Sequence, residues 1–186
     1  TVLGPGSSAN DSGAIAMGTK NSANGRYSII SGGSDNITGS GIIAKAKQVK
    51  KPIENLKKKS REQLTKKTST VRYPGNGDYS EIGGGSNNIA NGDYSTIGGG
   101  EWNTIANSGY GSVIAGGSGG FIQSLSSFIG GGESNEIGDD VSGDQSVIGG
   151  GGSNRVFAYN SVISGGNGNL IDNTSGGGTV GGGEGN

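Results

Sequence analysis

The stretch NGDYSEIGGGSNNIANGDYSTIGGG, from Asn76 to Gly100, begins again at Asn91 with nearly the same residues. Its motif is a serine, any residue, an isoleucine or valine, and then small residues that are mostly glycine. The chain holds eight copies: YSIISGG at Tyr27, YSEIGGG at Tyr79, YSTIGGG at Tyr94, GSVIAGG at Gly111, SSFIGGG at Ser126, QSVIGGGG at Gln145, NSVISGG at Asn160 and GGTVGGG at Gly177. The sequence is therefore a repeat array.

An apolar residue recurs at the fourth position of every copy: Ile30, Ile82, Ile97, Ile114, Ile129, Ile148, Ile163 and Val180. From Ile82 the steps are 15, 17, 15, 19, 15 and 17 residues. A second apolar column is predicted seven or eight residues behind the first: Ile37, Ile89, Ile105, Ile122, Ile137, Val156 and Ile171.

Such repeats are too short for a helical hairpin, which needs about 30 residues, and glycine triplets disfavour helix. Two short strands joined by glycine and Asn-Gly turns fit the pattern instead. The sequence thus predicts an all-β chain, a parallel β-solenoid (β-roll) of about eight to nine short coils. Like residues of successive coils are expected to form columns spaced by about 4.8 Å.

The apolar content is low for a single globular core. Only 28% of residues are hydrophobic, and 43 of the 186 are glycine. Burying one isoleucine contributes roughly 1.5–3 kcal/mol, whereas ordering each backbone residue costs about 1–2 kcal/mol. Two apolar anchors per coil make a thin core, so we expect further burial between identical subunits in a homotrimer.

The repeats are interrupted once, by a basic segment. From Ile37 to Ile82 the chain takes 45 residues, whereas Ile89 to Ile97 takes 8. We therefore divide the chain into N-terminal coils (1–38), an insertion (39–75) and the main solenoid (76–186). The core of the insertion, KKPIENLKKKSREQLTKK, is compatible with either a short helix or a loop.

Charge is distributed unequally between these parts. The net charge is −1, but the insertion holds eleven of the fourteen basic residues, which leaves the rest at −10. Three roles remain open for the insertion: a solvated segment, a docking arm for neighbouring proteins, or a segment that binds nucleic acid or an anionic membrane. The third is disfavoured, because Tyr73 is the one aromatic residue beside the lysines. The candidate partner-binding residues are Lys45, Lys47, Lys50, Lys51, Lys57, Lys58, Lys59, Arg61, Lys66 and Lys67.

A family resemblance rests on the alternation of S-x-I-G-G-G with N-x-I-A-N-G-D, together with AIAMGTKNSANG from Ala14 to Gly25. Residues 12–38 and 76–186 resemble the head repeats of trimeric autotransporter adhesins and related phage and virus fibre proteins. The resemblance implies a left-handed parallel β-roll, three intertwined chains, and a surface-exposed role without catalysis.

Most catalytic chemistry lacks its residues here. The chain has no histidine and no cysteine, which removes Ser–His–Asp and Cys–His catalysis and the usual zinc sites. The glycine triplets lack the Gly-Lys-Ser/Thr ending of phosphate-binding loops. One carboxylate cluster, Asp139, Asp140 and Asp144, is a weak candidate for calcium or for glycoside hydrolysis; a lengthened polar turn is the simpler interpretation. No cofactor is expected.

The aromatic residues suggest two surface features. Tyr27, Tyr79 and Tyr94 share one motif position and are predicted to stack as a ladder. Trp102 replaces the serine of GGGSN in GGGEWN, and is a candidate contact with a partner or with a neighbouring subunit.

These features favour a non-enzymatic structural or attachment protein, a trimeric fibre or head that binds a protein or glycan receptor. The alternative is a virion structural protein, such as a tail fibre, spike or capsid-associated protein, that docks through its basic insertion. Ice binding is weaker because Thr96, Thr104 and Thr179 are scattered along the sequence, and a glycan-degrading fibre is weaker because it depends on the three aspartates alone. No apolar run reaches the roughly 20 residues of a membrane span. An extracellular or cell-surface location is expected, or a place in a virion.

Overall fold

The structure, a computed structural model, describes residues 1–39, 75–138, 143–174 and 176–186. These residues form nineteen short parallel strands and no helix. Ten odd-numbered strands make sheet A: β1 Val2–Leu3, β3 Ile15–Met17, β5 Ile29–Ile30, β7 Glu81–Ile82, β9 Thr96–Ile97, β11 Val113–Ile114, β13 Phe128–Ile129, β15 Val147–Ile148, β17 Val162–Ile163 and β19 Thr179–Val180. Nine even-numbered strands make sheet B: β2 Ser8–Ala9, β4 Ser22–Ala23, β6 Ile37–Thr38, β8 Ile89–Ala90, β10 Thr104–Ile105, β12 Phe121–Ile122, β14 Glu136–Ile137, β16 Arg155–Val156 and β18 Leu170–Ile171.

Each coil of the chain contributes one strand to sheet A and the next strand to sheet B. Strand order within each sheet follows the sequence, so every coil lies between its predecessor and its successor. The predicted all-β parallel solenoid is confirmed, with about nine coils. One chain supplies both sheets of each coil.

The first apolar column is confirmed by the register of sheet A. Ile30 pairs with Ile82, and Ile82 pairs with Ile97. The column continues to Val180 through Ile114, Ile129, Ile148 and Ile163. The isoleucines of this column are at most 1% exposed.

The second predicted column is wrong in two coils. In sheet B, Thr38 pairs with Ala90, and Ala90 pairs with Ile105. Ile37 and Ile89 lie one residue earlier and point outward, partly exposed, while Thr38 and Ala90 are fully buried. A strand alternates its faces residue by residue, so a one-residue error in register exchanges inside for outside.

A buried asparagine two residues before the inward residue sets this register in seven of the nine sheet B strands, while β12 has Gly120 and β2 has Ser7 at that place. The side chain of Asn36 accepts from the backbone N–H of Asn88 at 3.0 Å and from its amide nitrogen at 3.1 Å. Asn88 in turn donates to the carbonyls of Gly84 at 3.1 Å and Gly100 at 2.9 Å. The buried members of the asparagine ladder are Asn21, Asn36, Asn88, Asn103, Asn135, Asn154 and Asn169.

A buried serine lines the other side of the interior, two residues before each inward isoleucine of sheet A. The Ser146 hydroxyl donates to the carbonyl of Ala158 at 2.8 Å and accepts from the N–H of Ser161 at 3.1 Å. The interior of a coil therefore combines two apolar and two polar columns. Hydrogen bonds between coils satisfy most of the buried polar groups, which burial would otherwise penalise.

The glycine triplets differ in role from position to position. The third glycine adopts a left-handed conformation, as at Gly85 with φ +83°, where a Cβ would lie 2.0 Å from the carbonyl oxygen of Gly100. Only glycine fits there without strain. The second glycine varies: at Gly84 and Gly99 it has no left-handed φ and a Cβ would meet nothing within 4 Å, whereas at Gly131 and Gly150 its φ is +145° and +158°.

Length variation is concentrated at one corner of the solenoid. The inward residues of sheets A and B are eight residues apart in every coil from Ile30 to Ile171. From sheet B to the next strand of sheet A, the spacing is instead 7, 9 or 11 residues, and 44 between Thr38 and Ile82. We call this connection the variable corner.

Candidate interaction surfaces

The surfaces available for contact are the outward columns of the two sheets and the corners between them. In most two-residue strands the inward side chain is buried and its neighbour is partly exposed. The described part of the chain contains no helix, and therefore no helix that could cross a membrane.

The predicted tyrosine ladder is confirmed at the variable corner. The rings of Tyr27 and Tyr79 stack with centroids 5.3 Å apart, and those of Tyr79 and Tyr94 with centroids 4.9 Å apart and planes 6° from parallel. Tyr110, one position out of register, continues the row with a tilted ring at 5.3 Å. The ring faces within the ladder cover one another, so its outer edges and hydroxyls are what a partner would meet.

The three stacked tyrosines have φ values between 53° and 58°. This conformation is costly for a bulky residue and persists where the surrounding structure holds it. The ladder follows because the same turn recurs in successive coils with tyrosine at its left-handed position.

Beneath the ladder, hydrogen bonds fix the chain where it re-enters the solenoid after the insertion. Asp93 accepts from the N–H groups of Asn76 at 2.8 Å and Asp78 at 2.9 Å. The side chain of Asn107 donates to the carbonyl of Gly75 at 2.8 Å. The chain at Gly39 lies beside this point, since a Cβ on Gly77 would be 2.2 Å from the Gly39 nitrogen.

An ion pair joins the coils on either side of the insertion. Arg26 donates to Asp78 through Nε at 2.9 Å and Nη2 at 2.7 Å. This hydrogen bond raises the pKa of the Arg26 guanidinium above its usual value. The contact joins two neighbouring coils whose residues are distant in sequence. Arg26 stays largely exposed, so water screens the attraction between the two charges.

Trp102 lies at the opposite corner, between sheet A and sheet B. It is partly exposed, has a φ of 60°, and donates from its indole nitrogen to Glu101 at 2.8 Å. The indole nitrogen is thus already satisfied, while part of the ring is open to solvent. Its role as a partner contact stays a prediction.

The outward column of sheet A is apolar over four consecutive coils. Val113 pairs with Phe128, Phe128 with Val147, and Val147 with Val162. All four are partly exposed, Phe128 to 39%. The sequence prediction did not include this column, although its signal was present in the variable residue of the motif, which reads V, F, V and V here.

The outward column of sheet B is mixed in character. Glu136 and Arg155 pair at 2.9 Å, and the Arg155 guanidinium lies 4.7 Å from the ring centroid of Phe157. Thr104 lies in this column, whereas Thr96 and Thr179 lie in sheet A. Three threonines on two faces do not form the single flat threonine row that an ice-binding surface needs.

Of the three candidate carboxylates, the structure describes only Asp144. Its carboxylate accepts from the backbone N–H of Leu125 at 3.0 Å, where it holds the variable corner of the preceding coil. Among the described residues there is no group of three histidine, cysteine, aspartate or glutamate side chains that could hold a metal ion. Asp139 and Asp140 lie outside the described residues, so the weak calcium or glycosidase site stays a prediction.

The basic candidates from Lys45 to Lys67 also lie outside the described residues. Their predicted helix, and their predicted role in docking, are therefore untested. Both ends of the insertion, however, are at the variable corner beside the tyrosine ladder.

Neither the models of known protein families nor the sequences of curated proteins gave a match to this chain. Its function must therefore be argued from the surfaces themselves.

Proposed function

We propose that the chain is a non-enzymatic structural protein, the shaft or head of a trimeric fibre that presents its outer columns to a receptor or to an assembly partner. The observation that carries this proposal is that inward and outward residues of each coil have different roles. Inward residues form continuous ladders that stiffen the rod, and outward residues form rows that repeat from coil to coil.

The rigidity of the rod supports a mechanical role. In both sheets and along the asparagine ladder, hydrogen bonds connect successive coils, so force along the axis is shared over many bonds. Stacked repeats contact only their neighbours and make long, thin shapes. The resemblance to the head repeats of trimeric adhesins and virus fibres points to a place at a cell surface, outside the cell or on a virion.

A second candidate is a virion structural protein that docks on neighbouring proteins through its basic insertion. The hydrogen bonds to Asn76, Asp78 and Gly75 favour it, because they tie the end of the insertion to the rod. A load on the insertion would be transmitted to the solenoid through this junction.

Assembly is tested by measuring the molar mass of the full chain by light scattering over a wide concentration range. We expect three times the 18.3 kDa of one chain, together with a β-sheet circular dichroism spectrum. A monodisperse single chain that keeps this spectrum on dilution would refute the trimeric fibre.

A further inference from the structure

We propose that the outer face of sheet A between Val113 and Val162 is the surface through which copies of this chain pack against one another. The inference deepens the proposed function and rests on it, since it names the interface of the multimeric fibre. Its core is the apolar outward column Val113, Phe128, Val147 and Val162, which we call the sheet A ridge.

Among the described residues, nothing gives the ridge a role inside the solenoid. The interior of these coils is already filled by Ile114, Ile129, Ile148 and Ile163, which are at most 1% exposed. On a sheet with one face on the core, outward positions are ordinarily polar. A continuous apolar row on the water side of a sheet is typical of a contact surface.

Two of the turns beside the ridge leave open space. After β11 and β17, Gly116 and Gly165 have no left-handed φ, and a Cβ there would meet nothing within 4 Å, whereas the equivalent Gly131 and Gly150 after β13 and β15 have φ values of +145° and +158°. The fold of the single chain would accept a larger residue at Gly116 and Gly165. The glycines therefore do not obstruct a neighbour that approaches the ridge.

The distribution of charge on the chain indicates which kind of partner fits the ridge. Outside the insertion the chain carries three basic and thirteen acidic residues, so two copies repel each other wherever acidic surfaces meet. The four side chains of the ridge are uncharged, whereas the outward column of sheet B contains Glu136 and Arg155 in the same coils. A strongly basic partner would find no carboxylate in the ridge, but a second copy brings an equally neutral one.

Periodicity points to the same partner. Side chains of the ridge recur once per coil, about 4.8 Å apart. A partner that packs against four of these side chains in succession needs contacting groups with the same spacing, and an identical solenoid has that spacing. We therefore assign the ridge to contact with the ridge of a second copy.

The test uses the full chain and three single substitutions. Val147→Lys places a charge in the ridge, and Gly165→Lys places a long side chain in the turn after β17, where the single chain has room. Thr104→Lys is the matched control, because Thr104 is a partly exposed outward residue on sheet B. For each protein we would measure molar mass against concentration and thermal unfolding by circular dichroism.

We expect Val147→Lys and Gly165→Lys to raise the dissociation constant of the assembly at least tenfold while keeping the β-sheet spectrum, and Thr104→Lys to leave the mass unchanged. If Val147→Lys fails to fold, Gly165→Lys alone decides. An assembly that survives both substitutions overturns the ridge interface but leaves the multimeric fibre standing. A wild-type chain that remains single at all concentrations overturns both.

Discussion

At the scale of the residue, the asparagine ladder has one interruption. Gly120 replaces asparagine, and its N–H donates to Asn103 Oδ1 at 2.9 Å just as the other members do. Elsewhere the side-chain nitrogen donates to glycine carbonyls of its own and the next coil, and the oxygen accepts from the next asparagine N–H. The corresponding groups at Gly120 are the carbonyls of Gly116 and Gly132 and the N–H of Asn135.

We expect Gly120→Asn to stabilise the fold by about 2 kcal/mol, because each restored hydrogen bond contributes roughly 0.5–1.5 kcal/mol and loss of glycine freedom in the unfolded chain adds about 0.4–1 kcal/mol. Gly120 has no left-handed φ, but a Cβ there would lie 3.0 Å from Asn103 Oδ1, so the Asn103 side chain must shift by a few tenths of an ångström to admit asparagine. Denaturant unfolding would measure the change. Gly120→Ala is the control for the backbone contribution, and an equal gain in both variants would mean that the amide adds nothing.

At the scale of the element, a strand here is only two residues long, and each residue has a separate task. In β9, Ile97 is fully buried in the first column while Thr96 points outward. We expect Ile97→Ala to lower the free energy of unfolding by about 2–5 kcal/mol, as truncations of buried isoleucine do. Thr96→Ala should change it by less than about 0.5 kcal/mol, the usual range for surface sites.

Chemical denaturation of both β9 variants gives the comparison. Similar losses in the two would show that the strand is not divided into an inner and an outer residue. Because each coil contacts only its neighbours, the damage should be greatest for coils next to β9, which hydrogen exchange can locate.

The sequence predicted the elements of sheet A better than those of sheet B. The recurring S-x-I pattern places a small polar residue and an isoleucine on the same face, which fixes the register of sheet A unambiguously. In sheet B the apolar residues predicted the wrong register in two coils, since Ile37 and Ile89 are larger than the inward Thr38 and Ala90 beside them. The reliable marker is the asparagine two residues before the inward position, from Asn21 to Asn169 with Gly120 in its place once, and the prediction gave asparagine a role only in the Asn-Gly turns. Of the surface features, the tyrosine ladder was predictable because its residues share one motif position, whereas the sheet A ridge was hidden in the motif's variable position.

At the scale of the whole molecule, the variable corner absorbs every change in coil length after Ile30. Deletion of Gly39 to Gly75 would place Asn76 directly after Thr38 and restore the seven-residue spacing found between Ala90 and Ile97. We expect the shortened protein to fold with a melting temperature within a few degrees of the full chain, since surface excursions are generally dispensable. Calorimetry would check this, and failure to fold would show that the insertion belongs to the core.

The same deletion tests the docking role of the insertion. Attraction between its basic residues and an acidic partner is screened over about 8 Å at physiological salt, so binding by the full chain should weaken as salt rises. The shortened protein should bind an acidic protein surface weakly at every salt concentration. Unchanged binding at low salt would remove the docking role.

The coil is also a unit of heredity. Residues 76–90 span one complete coil, and an in-frame duplication of the DNA that encodes them would add one complete coil. The added coil would find matching neighbours above and below, because the inward ladders are nearly the same in each. The rod would grow by a single rise of about 4.8 Å for each such event, so its reach could change between generations without the invention of any new structure.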